Sequence, residues 1–154
     1  MIIISSPTSD QDFDTYYKLR WKILRQPWNQ PPGSEKDNLE NISRHFIGIS
    51  DHCIIAVGRL HFEDSSAVIR YMGVDTPHQG KGIGTKLLVY IENEAIRQKA
   101  TEIKLNAREQ YSNFYTQNGY MDCGVGHTLY HTIRHRKMSK HLASNLALKQ
   151  PGVE

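Results

Sequence analysis

Apolar residues change their spacing along the chain, from helical to strand-like and back. A short apolar segment at residues 2–5 is followed by a predicted helix that begins at Ser9, where Asp12 completes a capping box. Pro27 should end this helix, because proline lacks a backbone N–H and its ring clashes with the preceding turn. Four apolar positions recur at helical spacing within it: Phe13, Tyr17, Trp21 and Leu24.

The segment after this helix is predicted to be an irregular loop. Residues 26–34 hold three of the six prolines, which restrict the backbone and disfavour regular structure. Trp28 gives this loop a large aromatic side chain, so the loop is a candidate lid over a substrate.

The middle of the chain predicts an antiparallel meander followed by a helix. Apolar strands are predicted at residues 45–50, 53–62 and 67–74, with short polar turns between them. A helix is predicted over residues 84–99, and its apolar side should pack on the sheet. The remaining predicted elements are a strand at 101–105, a short helix at 112–117 ended by Gly119, and closing strands at 120–122 and 127–137.

Three glycines at alternate positions lie between the third strand of the meander and the long helix. Gly80, Gly82 and Gly84 free the backbone to turn tightly, and their N–H groups together with the positive end of the helix can hold an anion such as a diphosphate. The spacing matches neither the Rossmann motif nor the P-loop, so nicotinamide cofactors and ATP are disfavoured. A glycine-rich turn that only connects two elements is the alternative.

Length, composition and charge narrow the class of protein. A chain of 154 residues with 38% hydrophobic and 23% charged residues predicts one folded globular domain, assigned to residues 1–138 with a surface tail at 139–154. The net charge of +3 is compatible with an anionic small ligand and too small to indicate a nucleic-acid-binding protein. The apolar runs are too short to cross a membrane, and the start lacks a secretory signal. With only Cys53 and Cys123, reduced thiols and a cytoplasmic location are expected.

Two motifs in a fixed order give the chain a family resemblance. The sequence Gln-Gly-Lys-Gly-Ile-Gly at residues 79–84 precedes Asn-Phe-Tyr-Thr-Gln-Asn-Gly-Tyr at residues 113–120, about 30 residues later. Together they resemble the GNAT superfamily of acyl-CoA-dependent N-acyltransferases, over residues 45 to 138. A looser similarity to the ElaA-like branch includes Leu19-Arg20, Tyr71-Met-Gly-Val and Gly126-His127. The resemblance implies an α/β (α+β) domain, with a mixed, mostly antiparallel sheet of about seven strands flanked by helices and splayed between strands 67–74 and 101–105.

The resemblance also implies how acetyl-CoA, the expected co-substrate, is bound. Backbone groups of Met72 and Val74 would pair with the pantetheine arm, and Asn106 and Asn113 would line its groove. The diphosphate would be held by the backbone amides of Gln79, Gly80, Lys81, Gly82, Ile83, Gly84 and Thr85.

Acyl transfer to an amine needs stabilisation of a developing oxyanion, a proton for the departing thiolate and a neutral amine. The Val74 N–H is the candidate for the oxyanion, and Tyr115, which matches the family's tyrosine, is the candidate proton donor. Arg70 stands where many family members carry a carboxylate, so His127 becomes the candidate base, with a water path to solvent as the alternative. Trp28 and His127 are the candidate contacts of the acceptor.

The predicted function is transfer of an acetyl group to a primary amine of an unidentified small molecule or peptide, directly within a ternary complex. Cys123 would allow a covalent route, but no base partner is evident. A non-catalytic acyl-CoA sensor is the alternative function. Membrane and metal partners are not expected, and a homodimer is left open.

Two patterns of basic residues near the end of the chain raise the question of other functions. His127, His131 and His135 recur every four residues. In a single strand, side chains four residues apart are separated by about 13 Å, which is too far for them to share a zinc ion. The basic run at 134–137 with Lys140 could attract RNA, but an exposed edge strand is the preferred interpretation.

Overall fold

Seven strands form one sheet in the order β1-β2-β3-β4-β5-β7-β6, in a computed structural model that describes residues 1–142. Within these residues, β4 and β5 are the parallel pair, and the other neighbouring strands run antiparallel. The predicted fold class and number of strands are therefore confirmed. The strands are β1 (Ile3–Ser5), β2 (Arg44–Ser50), β3 (Cys53–Glu63), β4 (Ser66–Val74), β5 (Glu102–Arg108), β6 (Met121–Leu129) and β7 (Ile133–His141), and the helices are α1 (Asp10–Leu24), α2 (Ile83–Arg97) and α3 (Ser112–Gln117).

Helix α1 begins as predicted and buries a wider face than predicted. Ser9 caps the helix and Asp12 completes the capping box, and the helix ends before Pro27. Of the predicted apolar stripe, Leu24 is buried and Phe13 and Tyr17 pack partly buried against the core. The prediction missed Tyr16, Leu19 and Arg20, which are buried as well. Residues Gln26–Trp28 form one turn of 3-10 helix where an irregular loop was expected.

The two faces of the sheet carry separate apolar clusters. Helix α2 covers one face, and its buried residues Leu87, Leu88 and Ile91 pack against Leu60 of β3 and other core residues. Helix α1 covers the other face, where Tyr16 and Leu19 pack against Ile47 and Val57. The sheet is thus held between α1 and α2.

Strands β4 and β5 separate after a short paired segment, as predicted. Their pairing is confined to three residues of each strand, Ser66 to Val68 with Glu102 to Lys104. Further along, two residues of β4, Tyr71 and Met72, face a single residue of β3 in a β-bulge, and Tyr71 has a positive φ of 57°. A gap therefore opens between the second half of β4 and the second half of β5.

The last two strands form a hairpin, which corrects the predicted strand at 127–137. Tyr130 and His131 both have positive φ and make a tight turn between β6 and β7. Strand β7 lies between β5 and β6, so the predicted edge strand was also wrong. The hairpin stacks the rings of His127 and His135 at 4.1 Å, so the spacing argument against zinc does not apply. In residues 1–142 no three His, Cys, Asp or Glu side chains are grouped to hold a metal.

Strand β7 continues to His141, so residues 139–141 belong to the sheet and not to the predicted surface tail. The rest of that predicted tail, residues 143–154, lies outside the described residues. Cys53 and Cys123 are both free and exposed. None of the helices within residues 1–142 has the length and apolar character to cross a membrane.

Candidate active site

The open edge of β4 presents backbone groups of Val74 to the gap. The Asp75 N–H donates to the Ile55 carbonyl of β3 at 2.8 Å, and Gly73 pairs with Val57. Because successive residues of a strand direct their N–H and C=O groups to opposite edges, those of Val74 point away from β3. The Gln79 side chain donates to the Val74 carbonyl at 3.0 Å, which agrees with this direction. The Val74 N–H therefore faces the gap.

The glycine loop leads from β4 into the N-terminus of α2. Gly80 and Gly82 have φ of 78° and 80°, and Gly82 is the N-cap of α2 without a side-chain hydrogen bond to the first turn. A β-carbon added at either glycine would meet nothing within 4 Å, so the space before these amides is open. Unpaired N–H groups at a helix N-terminus facing open space suit a phosphate.

The residues predicted to hold the diphosphate differ in which of their groups are free for a ligand. Lys81 is exposed, whereas the Ile83 side chain belongs to the core and leaves only its backbone for a ligand. The Gln79 N–H, predicted to hold the diphosphate, already donates to the Thr76 carbonyl at 3.2 Å and is not free for a ligand.

Helix α3 packs against the first turn of α2 and brings the two sequence motifs together. A β-carbon placed on Gly84 would lie 3.2 Å from Phe114 Cζ. The neighbouring Tyr115 directs its hydroxyl to Met72 Sδ at 3.9 Å, beside the bulge of β4. Tyr115 is partly buried, and this burial raises its pKa to about 12. The phenol is therefore protonated at neutral pH and lies at the gap.

Comparison with known proteins agrees with this geometry. Residues 13–125 match the model of the acetyltransferase (GNAT) family. The chain belongs to this family. It is an N-acetyltransferase of the GNAT type, which confirms the family resemblance and the enzyme class.

Relatives and solved structures extend the similarity over most of the chain. The uncharacterized N-acetyltransferase YjcF of Bacillus subtilis is 26% identical over 135 residues, which are 82% of this chain and 96% of YjcF. Escherichia coli ElaA has the same fold, with a TM-score of 0.76, 18% identity and coverage of 91% of this chain and 99% of ElaA. An aminoglycoside 6'-N-acetyltransferase complexed with coenzyme A gives a TM-score of 0.75 at 15% identity, covering 90% of this chain and 96% of that chain.

The two predicted asparagines lie on β5 and at the start of α3. Asn106 is exposed on β5, and its Oδ1 lies 3.3 Å from where a β-carbon of Gly126 would stand. Its side chain thus leans over the hairpin. Asn113 is exposed in the first turn of α3, where its carbonyl accepts from the Thr116 hydroxyl at 3.0 Å.

His127 is not brought together with Val74 and Tyr115. His127 is exposed on β6, and strands β5 and β7 lie between it and the gap. Its carbonyl accepts from His135 Nδ1 at 3.1 Å. Trp28 is 38% exposed in the turn after α1.

A buried ion network, which local sequence patterns do not predict, lies beside the bulge of β4. Arg59 of β3 donates to Asp37 at 2.6 Å and to Glu40 at 2.8 Å, and Arg20 of α1 pairs with Glu40 at 3.0 Å. Both arginines are fully buried. Burial would raise the pKa of Asp37, but hydrogen bonds from Arg59 and from the Leu39 N–H lower it to about 2.

This network supports β4 at its bulge. The guanidinium carbons of Arg20 and Arg59 lie 4.5 and 4.8 Å from the centre of the Tyr71 ring, so the strained residue is held by cation–π contacts. The sequence contained one signal for the network, since Arg20 and Arg59 interrupt apolar segments where a lone charge would be costly.

Proposed function

We propose that the protein transfers an acetyl group from acetyl-CoA to a primary amine, in one step within a ternary complex. The observation that carries the proposal is the Val74 N–H, which faces the open gap between the glycine loop and the Tyr115 hydroxyl. A gap in a sheet leaves backbone donors without strand partners, and an extended amide-containing ligand can replace the missing strand.

The residues that would hold acetyl-CoA fit its chemistry. Acetyl-CoA, when bound, supplies the acetyl group as an activated thioester. The amides of residues 80–85, at the positive end of α2, would hold the diphosphate. Met72 and Val74 would pair with the pantetheine arm, and Asn106 and Asn113 would contact it from β5 and α3.

Two groups of this chain would act on the reacting atoms. The Val74 N–H would donate a hydrogen bond to the oxygen on which negative charge develops, and its position on a rigid strand needs no rearrangement. The Tyr115 hydroxyl would hold the proton that the departing sulfur requires. Both groups border the same gap, so one bound thioester could contact both.

Removal of the proton from the amine is assigned to water leading to solvent. His127, the other candidate for this role, stands two strands from the gap and stacks on His135. Contact between His127 and the acceptor would require an acceptor long enough to reach the hairpin.

The acceptor is proposed to be a small molecule or a peptide with a primary amine, and Trp28 is proposed to contact it. A non-catalytic acyl-CoA sensor is the competing function, since the same gap would bind acetyl-CoA without turnover. The cytoplasmic location and the homodimer stay predictions.

Thiol release in the presence of a panel of primary amines separates the enzyme from the sensor. Calorimetry first establishes that acetyl-CoA binds, and a thiol reagent then measures free CoA for each amine. Amine-dependent release supports the proposal. Tight binding without release across small amines and peptides with free N-termini would favour the sensor.

A further inference from the structure

Two arginines converge on the last carbonyl of α1. Arg25 Nη1 donates to the Leu24 carbonyl at 3.1 Å, and Arg108 Nη2 donates to the same oxygen at 3.0 Å. Arg25 Nε also donates to the Ser34 carbonyl at 3.0 Å. Two positive groups that share one neutral oxygen repel each other. The carbonyl oxygens that accept from this pair are uncharged, so they leave its positive charge without a counter-ion.

The pair spans the gap on the side that α1 covers. Arg108 ends β5, and its bond to Leu24 joins that strand to α1, whose Ile23 packs on Gly73 of β4. The Arg25 guanidinium carbon lies 5.6 Å from the ring centre of Tyr71 on β4. It also lies 5.9 Å from the ring centre of Tyr130 in the hairpin turn. Both charges are thus held close to the strands that form the gap.

These two arginines differ from their neighbours in lacking an acidic partner. Arg20, Arg59 and Arg70 all form ion pairs with Asp37 or Glu40. Within residues 1–142, neither Arg25 nor Arg108 has a carboxylate within ion-pair distance, although Arg25 is only 7% exposed.

Among residues 1–142, no carboxylate offsets the charge of Arg108. Burial lowers the pKa of Arg108, and the charge of Arg25 lowers it further. His135 faces Arg108 across the β5–β7 ladder. Burying arginines without counter-ions costs free energy unless a ligand supplies the missing charge.

We propose that Arg25 and Arg108 bind an anionic group, a carboxylate or a phosphate, carried by the amine that accepts the acetyl group. This inference rests on the proposed function and narrows its acceptor to anionic amines. Planar guanidinium groups suit both anions because each can offer paired N–H donors. The remaining N–H groups of the two arginines would contact the anion, and the amine would extend toward the Val74 N–H.

Matched pairs of amines test this inference. Thiol release would be compared for lysine with cadaverine, for tyrosine with tyramine, and for O-phosphoethanolamine with ethanolamine. The first two pairs probe a carboxylate and the third probes a phosphate. We expect kcat/KM to be at least about tenfold higher for the anionic amine than for its partner, either in the carboxylate pairs or in the phosphate pair. A factor of this size corresponds to the free energy of one charge-assisted hydrogen bond.

Variants separate recognition from a structural role in capping α1. Arg108→Gln should lower kcat/KM for anionic amines about 10- to 100-fold and leave neutral amines within about threefold. Arg97→Gln removes one exposed charge at the far end of α2 and should change neither class. Equal losses for both classes, or a preference for neutral amines, would overturn the inference.

A binding measurement covers the case in which no amine releases thiol, which would remove the proposed function. Calorimetry of lysine and O-phosphoethanolamine against the protein saturated with CoA then decides. Saturable binding that Arg108→Gln weakens and Arg97→Gln retains would support the anion site. Absence of binding to the wild type would refute it.

Discussion

Gly84 and Phe114 pack so closely that a β-carbon added to Gly84 would lie 3.2 Å from Phe114 Cζ. The contact fixes α3 against the N-terminus of α2, and α3 carries Tyr115 to the gap. A larger residue at Gly84 should therefore displace Tyr115 from Met72.

Gly84→Val tests this coupling between the two motifs. The branched side chain would push Phe114 away, and we expect kcat to fall roughly tenfold, since small displacements of a catalytic group are costly. Gly84→Val combined with Phe114→Leu should recover part of the loss, because leucine is smaller than phenylalanine and leaves room for the valine. Steady-state kinetics decides, and a double variant no better than Gly84→Val would contradict the coupling.

Gly82→Asp tests the anion site at the start of α2. Gly82 has positive φ and open space around it, which aspartate tolerates better than most residues, so the fold should persist. The carboxylate would face the diphosphate, and CoA affinity should fall about 100-fold through charge repulsion in a partly desolvated site.

Gly82→Asn is the matched control, because it has the same shape and the same tolerance of positive φ without the charge. We expect it to keep most of the affinity in calorimetry. If both variants bind CoA as the wild type does, the diphosphate lies elsewhere.

Tyr115→Phe tests the proton donor. Removal of the hydroxyl should lower kcat about 10²- to 10⁴-fold with little change in acetyl-CoA affinity, as expected for the loss of a general acid. Tyr90→Phe, on the half of α2 that packs against Phe46, should leave kcat unchanged. Wild-type activity in Tyr115→Phe would make Tyr115 a packing residue and leave solvent as the acid.

The sequence predicted the elements that follow from local pattern. The capping box at Ser9, the meander and the glycine loop depend on residues that are close in the chain. The hairpin turn at Tyr130 and His131 was missed because positive φ there falls on residues without the usual glycine, asparagine or aspartate.

The ionic contacts were missed for another reason. Arg108 meets Leu24 across 84 positions of sequence, and Arg59 meets Asp37 from a different element. No local pattern encodes such pairs, and an arginine within an apolar segment signals only that a partner must exist.

The Asp37 carboxylate should make the protein less stable as the pH falls into the acid range. Its pKa of about 2 in the folded protein lies below the ordinary value of 3.8, so the ionised form is favoured by folding. This contribution, about 2 kcal/mol, is present above pH 4 and is lost as the pH falls from 4 to 2.

Asp37→Asn should lower the free energy of unfolding at pH 7 by about 3 kcal/mol, because Arg59 stays buried with Glu40 alone. The variant should also lose part of the decline between pH 4 and 2. Urea unfolding measures both, with the exposed Asp14→Asn expected to change stability by less than about 0.5 kcal/mol. If the free energy of unfolding depends on pH in the same way in the wild type and in Asp37→Asn, Asp37 is not the group responsible.

His127→Gln tests the route of the amine proton. With water as the base, the rise of kcat/KM with pH should follow the pKa of the free amine and persist in the variant. A wild-type limb with an apparent pKa of about 6–7.5 that disappears in His127→Gln would instead identify His127 as the base.

Amide hydrogen exchange at single-residue resolution, followed by NMR with and without CoA, tests most directly whether the gap holds the cofactor. The Val74 N–H faces the gap and should become strongly protected when CoA binds, together with the amides of residues 80–85 at the start of α2. Protection of the glycine loop alone would indicate that the diphosphate binds at the start of α2 and that the pantetheine arm does not pair with β4. Tight CoA binding that leaves the exchange of Val74 unchanged would contradict an acetyl transfer site between β4 and β5.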